Sequence, residues 1–383
     1  MKTGVLYPRS EAHPGMMVDF VEGIRSVLRN YQLTNEVELV SESIGFGGNE
    51  KEVYEKVEKL LVLEGADVLV AFVDLRILEL IKPLLYASGK LVIAVNPGAN
   101  YPENWVPQPN IVNLTLQHGF LCWLTGKLAA QMNKTNAASA TTFYDCGYLH
   151  LAAMVKNFVK AGGEITYNYV NNQRYDDAFD INSLTGYLSS DKTTNSLLCV
   201  FDTFPASLFY SRLNTYDGAG SLHLFVSPMM LEQKALENTA GGFKFSVEGY
   251  LPWHAGLENN ANKEFMDSYL QQTKRTASVF SLLGWETGLI LQQVFLQCNE
   301  HYPDGVKIAG KLAEKKINSP RGEMKLDPET NYFIAPVYKC SLSQNSGKCS
   351  IHFIETPESE WKAFVETPSE GVSSGWTNTY LCY

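Results

Sequence analysis

The chain alternates short apolar runs with stretches of helical periodicity. Residues 4–7 read as a strand. Met17, Phe20, Ile24, Val27 and Tyr31 then recur at three- and four-residue spacing, which places them on one face of a helix. Residues 37–41 predict a second strand. Asn49, with Glu52 three positions on, has the form of a capping box opening a helix whose inner face is Val53, Val57, Leu60 and Leu61. Residues 68–73 are continuously apolar, as a strand covered on both faces must be. Residues 75–87 predict a helix despite Pro83, and residues 91–95 another buried strand. Strand, helix and strand in repetition dictate a parallel sheet with right-handed crossovers.

A loop rich in Pro, Asn and Trp follows at 96–109, and the pattern then restarts. Residues 114–132 predict mostly helix, 138–144 a strand, and 149–161 a helix stopped by Gly162-Gly163. Further strands are expected at 165–170, 197–201 and 222–226, and further helices at 262–272 and 277–299. The reading is two α/β domains of similar design, the second inserted into the first. A length of 383 residues also calls for two cores rather than one.

Charge narrows the partners. A formal net charge of −10 argues against nucleic acid or an anionic membrane surface, both of which need clustered Lys and Arg. No uninterrupted apolar run reaches the roughly 18 residues of a membrane span. Met1-Lys2-Thr3 leads straight into Gly4-Val5-Leu6-Tyr7 without a signal peptide, so the chain is either cytoplasmic or a mature or trimmed form. Of the seven cysteines, most sit in apolar or strand-like settings and read as packing residues. Cys340 and Cys349 flank a Ser-, Asn- and Gly-rich segment with the look of a hairpin loop; a disulfide across it would suit an extracytoplasmic location.

The groups that catalysis needs are missing from the linear sequence. The seven histidines are too widely spread for a helical metal pair, and no C-x-x-C, nucleophile elbow or P-loop occurs. Gly45-Phe46-Gly47-Gly48 precedes a helix, but Glu50 stands where the third glycine of a dinucleotide loop belongs, and it would repel a pyrophosphate. That loop reads as a turn. No catalytic residue, metal or cofactor is expected.

Several segments carry a family resemblance in order along the chain. They are Pro14 to Gly23, Asn96-Pro97-Gly98-Ala99-Asn100-Tyr101-Pro102-Glu103, Phe143-Tyr144-Asp145-Cys146-Gly147-Tyr148, Ala240-Gly241-Gly242-Phe243 and Ser278 to Glu286. The last is Ser319 to Tyr338, where Asp327-Pro328-Glu329-Thr330-Asn331 is turn chemistry between strand-like stretches. Together they resemble the type I periplasmic binding proteins, the branched-chain amino-acid-binding family that serves ABC transporters. The resemblance implies two Rossmann-like lobes with parallel sheets, joined by three hinge crossovers near His118, Val247 and Asn331. The lobes would be 1–117 plus 248–330 and 118–247 plus 331–383. It also implies a monomer outside the cytoplasm, holding a small solute in the cleft for a membrane permease and performing no chemistry on it. A receptor ectodomain of the same fold and a cytoplasmic α/β enzyme are the alternatives.

In open α/β sheets ligands sit beyond the carboxyl ends of the strands. That rule and the resemblance nominate Arg9, Ser10, Asp74, Arg76, Asn96, Asn100, Tyr101, Tyr148, Phe204, Met229 and Phe280. The family's paired serines are replaced by Asp74-Leu75-Arg76, its threonine by Asn100, and its ammonium-binding acid by Met229. A buried ammonium without a carboxylate is costly, and Arg9 and Arg76 suit a carboxylate. The expected ligand is therefore a hydrophobic or aromatic carboxylate ahead of an amino acid, with Asp74 or Asp202 able to replace the missing acid. The bland readings make Arg9 a solvated cation, Arg76 a helix-surface partner of Glu79, and Asn96 and Asn100 turn formers.

Overall fold

The computed structural model describes residues 1–132, 135–172, 179–191, 193–236, 242–298, 304–342, 349–354 and 358–368. The first part of the chain runs β1 (Lys2–Tyr7), α1 (Met16–Asn30), β2 (Glu38–Ser43), α2 (Glu50–Glu58), β3 (Val68–Phe72), α3 (Leu75–Ser88), β4 (Leu91–Asn96) and β5 (Ile111–Thr115). A second run follows: α4 (His118–Gln131), β6 (Asn136–Thr142), α5 (Leu149–Lys160), β7 (Glu164–Asn171), α6 (Asn182–Ser190), β8 (Ser196–Val200), α7 (Thr203–Asn214), β9 (His223–Val226), α8 (Gln233–Leu236) and β10 (Ser246–Leu251). The remaining described elements are α9 (Asn260–Thr273), α10 (Val279–Cys298), α11 (Gly305–Ala313), β11 (Lys316–Ser319), β12 (Gly322–Asp327), β13 (Tyr332–Ile334), β14 (Val337–Leu342), β15 (Cys349–Ile354) and α12 (Glu358–Val365).

Two sheets divide these strands. One has the order β11-β12-β13-β5-β4-β3-β1-β2, the other β15-β14-β10-β9-β8-β6-β7. In the first, β2, β1, β3, β4, β5 and β13 run parallel, and β12 and β11 are antiparallel additions at one edge. In the second, β7, β6, β8, β9 and β10 are parallel, with β14 and β15 antiparallel at the edge. The fold is α/β with two Rossmann-like lobes. Every residue of β3 and of β4 is buried, as sheets with helices on both faces require. The edge strand β2 is partly exposed and carries Glu38 and Glu42, charge that discourages pairing with another chain.

Each lobe packs one helix pair through a glycine. A Cβ on Gly284 of α10 would lie 2.0 Å from the Phe20 carbonyl oxygen of α1, so no other residue fits that contact. In the second lobe a Cβ on Gly126 of α4 would lie 2.0 Å from the Met154 carbonyl oxygen of α5. Helix α10 is 20 residues long and apolar enough to cross a membrane by length and composition, but 78% of that stretch is buried inside the first lobe's core.

The chain crosses between lobes three times. The first crossing, after Thr115, reaches α4 at His118. The second follows Leu251, because Val247 still pairs with Leu224 and Leu342 inside the second sheet. The third lies at Ala335 and Pro336, between β13 and β14, where proline cannot extend a ladder. The crossings expected near Val247 and Asn331 therefore fall a few residues later, after Leu251 and at Ala335. Asn331 instead closes the β12–β13 turn at φ 57°, its amide donating to the Gln108 carbonyl at 2.7 Å. Two sequence expectations are corrected with this. Residues 111–115 form β5, an apolar strand whose end merges in the sequence with the apolar start of α4, and 332–338 is two strands rather than one.

β14 and β15 form the expected hairpin, with Leu342 opposite Cys349 and Cys340 opposite Ile351. Cys340 is disulfide-bonded. The Cys349 side chain, which was its expected partner, lies outside the described residues, as do Ala240 and Gly241 of the family segment.

Candidate functional site

Loops that follow β1 and β4 of the first sheet meet loops that follow β6 and β8 of the second along one seam between the lobes. Two aspartates mark it at matching places. Asp74 follows β3 in extended conformation (φ −70°, ψ 157°) and caps α3, its Oδ1 accepting from the Arg76 N–H at 3.2 Å. Asp202 follows β8 with nearly the same geometry (φ −67°, ψ 166°) and caps α7, its Oδ1 accepting from the Thr203 N–H at 2.5 Å. Asp is favoured there because it satisfies an orphan backbone donor and its charge suits the positive end of the helix dipole.

Both aspartates belong to bonds that reach across the seam. The Asn100 amide donates to both Asp74 oxygens at 3.1 Å, and its own carbonyl oxygen accepts from the Leu149 N–H of the other lobe at 3.2 Å. Asp202 Oδ2 lies 3.2 Å from Nε2 of His13, which stands in the first lobe's loop between β1 and α1. His13 and Asp202 are only 5% and 2% exposed. The His13 backbone donates to Ser10 Oγ at 2.9 Å, and its ring meets the Phe280 ring edge-on at 5.4 Å.

Behind Asp202 the second lobe buries more polar chemistry. The Asp202 N–H donates to Asp145 Oδ2 at 3.1 Å, and the Thr142 hydroxyl donates to the same oxygen at 2.7 Å. Burial pushes the Asp145 carboxyl up to about 7, the nearby Asp202 charge adding to the rise and these hydrogen bonds opposing it. Burial likewise pushes Asp74 up to about 7, against the pull of the Arg76 N–H, Asn100 and the Arg76 charge. His150 Nε2 faces the Asp145 carbonyl at 3.3 Å, and its Nδ1 has no hydrogen-bond partner among the described residues. Burial lowers the His150 ring to about 4, and it holds His118 well below the usual histidine range, with repulsion from His150 and Arg321 contributing.

Below the seam, in the first lobe, Arg321 is fully buried in the two-residue turn between β11 and β12. Its Nε and Nη2 donate to the two Glu286 oxygens at 2.7 Å each, and Nη1 donates to the Thr115 carbonyl at 3.1 Å. This guanidinium is fully engaged by the protein itself.

The nominated residues separate by place. Ser10, Asp74, Asn100, Tyr148 and Phe280 are buried at the seam. Met229 is buried with them and groups with the first lobe's core although it follows β9 of the second. Asn96 holds its own loop, donating to the Val73 carbonyl at 3.2 Å and accepting from the Gly98 N–H at 2.8 Å. Tyr101 turns toward the hinge side, against Trp105 and Phe364. Arg9, Arg76 and Phe204 are exposed, so neither arginine is buried in the seam of this structure.

Three seam residues escaped the sequence reading. His13 lies three positions past Ser10, where the strand-end rule was stopped too soon. Thr142 ends β6, and Asp145 sits inside a segment noticed for its family pattern rather than its charge. Among the described residues, no three His, Cys, Asp or Glu side chains converge as metal ligands would.

Two lobes of parallel α/β design, three crossings and a polar seam at the strand ends define a two-lobed solute-binding protein. The sequence profile described as periplasmic binding protein matches residues 1–347, and the chain belongs to that family. No curated protein matches the chain by sequence. Among solved structures, a solute-binding protein of an ABC transporter from R. palustris, in complex with benzoate, is 20% identical, with 92% of this chain and 95% of that chain covered and a TM-score of 0.72. An ABC transporter substrate-binding protein from Sphaerobacter thermophilus is 14% identical, covers 93% and 97%, and gives 0.76. The branched-chain amino acid transporter substrate-binding protein LivJ from Streptococcus pneumoniae, in complex with isoleucine, is 13% identical, covers 93% and 99%, and gives 0.68. These likenesses establish the shared fold.

Proposed function

We propose that this chain captures a small organic solute, an organic carboxylate or an amino acid, between its lobes and delivers it outside the cytoplasm to the membrane permease of an ABC-type importer. The observation that carries the reading is the seam itself. Buried polar groups from both lobes converge there at the strand ends, and two sets of hydrogen bonds, His13 to Asp202 and Asn100 to Leu149, tie the lobes shut. The benzoate bound by the R. palustris protein and the isoleucine bound by LivJ both carry a carboxylate, which supports that ligand class.

In this reading Ser10, His13, Asn100, Tyr148 and Phe280 line the ligand, while Asp74 and Asp202 are placed to receive an ammonium group. Arg9 and Arg76 stand at the exposed rim, where they draw in an anionic solute rather than clamp it. Closure follows from differential affinity: a solute touching both lobes favours the closed form over the open one. Binding then stabilises the fold by RT ln(1 + [L]/Kd), about 2.7 kcal/mol at a hundredfold excess over Kd.

Thermal shift and calorimetry with benzoate, 4-hydroxybenzoate, isoleucine and leucine test the proposal. A concentration-dependent rise in Tm with at least one of them is expected. No shift with any, together with chemical turnover of one, would overturn it.

A further inference from the structure

Helix α12 lies beyond residue 347, where the family match ends. It is short, but its two inward residues, Trp361 and Phe364, are buried, and they are spaced to share one helical face. They enter an aromatic cluster drawn from both lobes. From the first lobe, Trp105 lies 5.3 Å from Trp361, Tyr101 lies 4.9 Å from Phe364, and Tyr332 lies 6.2 Å from Trp361. From the second lobe, Phe120 of α4 lies 5.4 Å from Trp361, and Trp123 lies 6.1 Å from Phe364.

Polar ties repeat the pattern. Toward the first lobe, the Trp361 indole N–H donates to Asp327 Oδ2 at 3.0 Å, and Glu358 pairs with Lys325. Toward the second, Glu360 pairs with Lys127 of α4 at 2.5 Å. The cluster sits beside two of the three crossings, since Phe120 follows the first and Tyr332 precedes the third. A two-sided attachment next to the hinge resists any change in the angle between the lobes.

The contact also reaches the seam. Tyr101 is held between Phe364 and α4, where a Cβ on Gly119 would lie 2.7 Å from the Tyr101 ring. Its neighbour Asn100 makes the bonds to Asp74 and to Leu149 across the lobes. Displacing Phe364 releases Tyr101 and with it the backbone that aims Asn100.

We infer that α12 is a clasp over the hinge: it sets the resting angle of the lobes and, through Tyr101, positions Asn100 for solute capture. The affinity half of this inference rests on the proposed solute capture, and the lobe-angle half does not. Two full-length variants test it, W361A/F364A, which removes the packing, and Glu360→Lys, which reverses the tie to Lys127 and leaves the aromatic cluster in place. Small-angle X-ray scattering of the ligand-free proteins should give a larger radius of gyration for both, more for the aromatic variant, with unchanged circular dichroism. Benzoate or isoleucine, whichever binds the unaltered chain, should bind W361A/F364A roughly fivefold or more weakly, the lower end of ordinary coupling between sites. A lowered Tm with unchanged radius and affinity would make α12 a passive cap and overturn the inference. If neither probe binds the unaltered chain, the affinity half of the inference falls, and the scattering result still decides the clasp.

Discussion

The two lobes put an aspartate at the same structural address and use it differently. Asp74 and Asp202 each follow a buried parallel strand, hold the same extended backbone and cap the next helix. Asp202 reaches the opposite lobe directly, at His13. Asp74 stays within its own lobe, and Asn100 carries the connection on to Leu149. The cap is a property of a few consecutive residues. The cross-seam partner is a property of how two separately folded surfaces meet, so one local recipe yields a direct latch on one side and a relayed one on the other.

The largest expected effect would break the comparison from beneath. The first lobe supports its side of the seam with the fully buried Arg321–Glu286 pair. Replacing one partner strands the other charge, so Arg321→Met should cost about 3–5 kcal/mol in urea unfolding. The double variant R321M/E286L should recover much of that loss, because the desolvation penalty disappears with both charges. Equal losses in the single and double variants would contradict this account of the pair.

Next in size is the latch. His13→Ala removes a buried, charge-assisted hydrogen bond and should cost about 1.5–3 kcal/mol, with a larger radius of gyration in solution as the lobes part. Asp74→Asn should change the radius little, since Asn can still accept from the Arg76 N–H and pair with the Asn100 amide. If D74N opens the lobes as much as H13A does, the direct and relayed latches are equivalent and the distinction fails.

The split between local and non-local also explains what the sequence disclosed. Strands β3 and β4 and the Asn49 cap were legible because continuous burial and capping each write themselves into a few neighbouring residues; Asn49 does accept from the Glu52 N–H at 3.2 Å. Strand β5 was missed because its apolar end runs on into an apolar helix, which hides the boundary. The third crossing was misplaced because Tyr332 to Tyr338 has strand composition on both sides of Pro336. For the site, the strand-end rule found the right loops but could not say which side chains face the seam. His13 and Asp202 meet across 189 positions, and no periodicity encodes that meeting. Arg9 and Arg76 drew notice for their charge and are exposed, whereas Arg321 went unremarked inside a turn. Helix α12 lies past the last family segment, and its role depends on aromatic residues scattered over the whole chain.

Acid–base balance gives a third way to sharpen the comparison, smaller because its parts oppose. Asp74 and Asp145 have folded-state values raised to about 7, so between about 4 and 7 the folded chain binds more protons than the unfolded one. Their contribution to stability therefore falls as pH rises through that window. His150, lowered to about 4, and His118, lowered well below its ordinary value, act in reverse below about 6.5, where the unfolded chain binds more protons and stability rises with pH. The two trends offset one another below about 6.5 and leave the aspartates alone just above it. Urea midpoints should decline from pH 6.5 to 8, and Asp145→Asn should flatten that decline. His150→Asn should expose a fall already under way from pH 5. A midpoint that climbs between pH 6.5 and 8 would show that the seam leaves its aspartates ionised.

The smallest effect isolates the local recipe from the seam. Asn49 caps α2 with the same side-chain-to-backbone bond that Asp74 and Asp202 use, but on an exposed helix end that makes no hydrogen bond across the lobes among the described residues. Asn49→Ala should cost about 1 kcal/mol, the ordinary worth of a cap. It should leave the radius of gyration and solute affinity unchanged. Asp202→Ala removes a cap of the same kind together with the latch, so its loss beyond the Asn49→Ala value measures what the second lobe gains by pointing its cap at His13. Equal losses at the two positions would mean that the contact with His13 adds nothing to stability, and that Asp202, like Asn49, serves only the helix it begins.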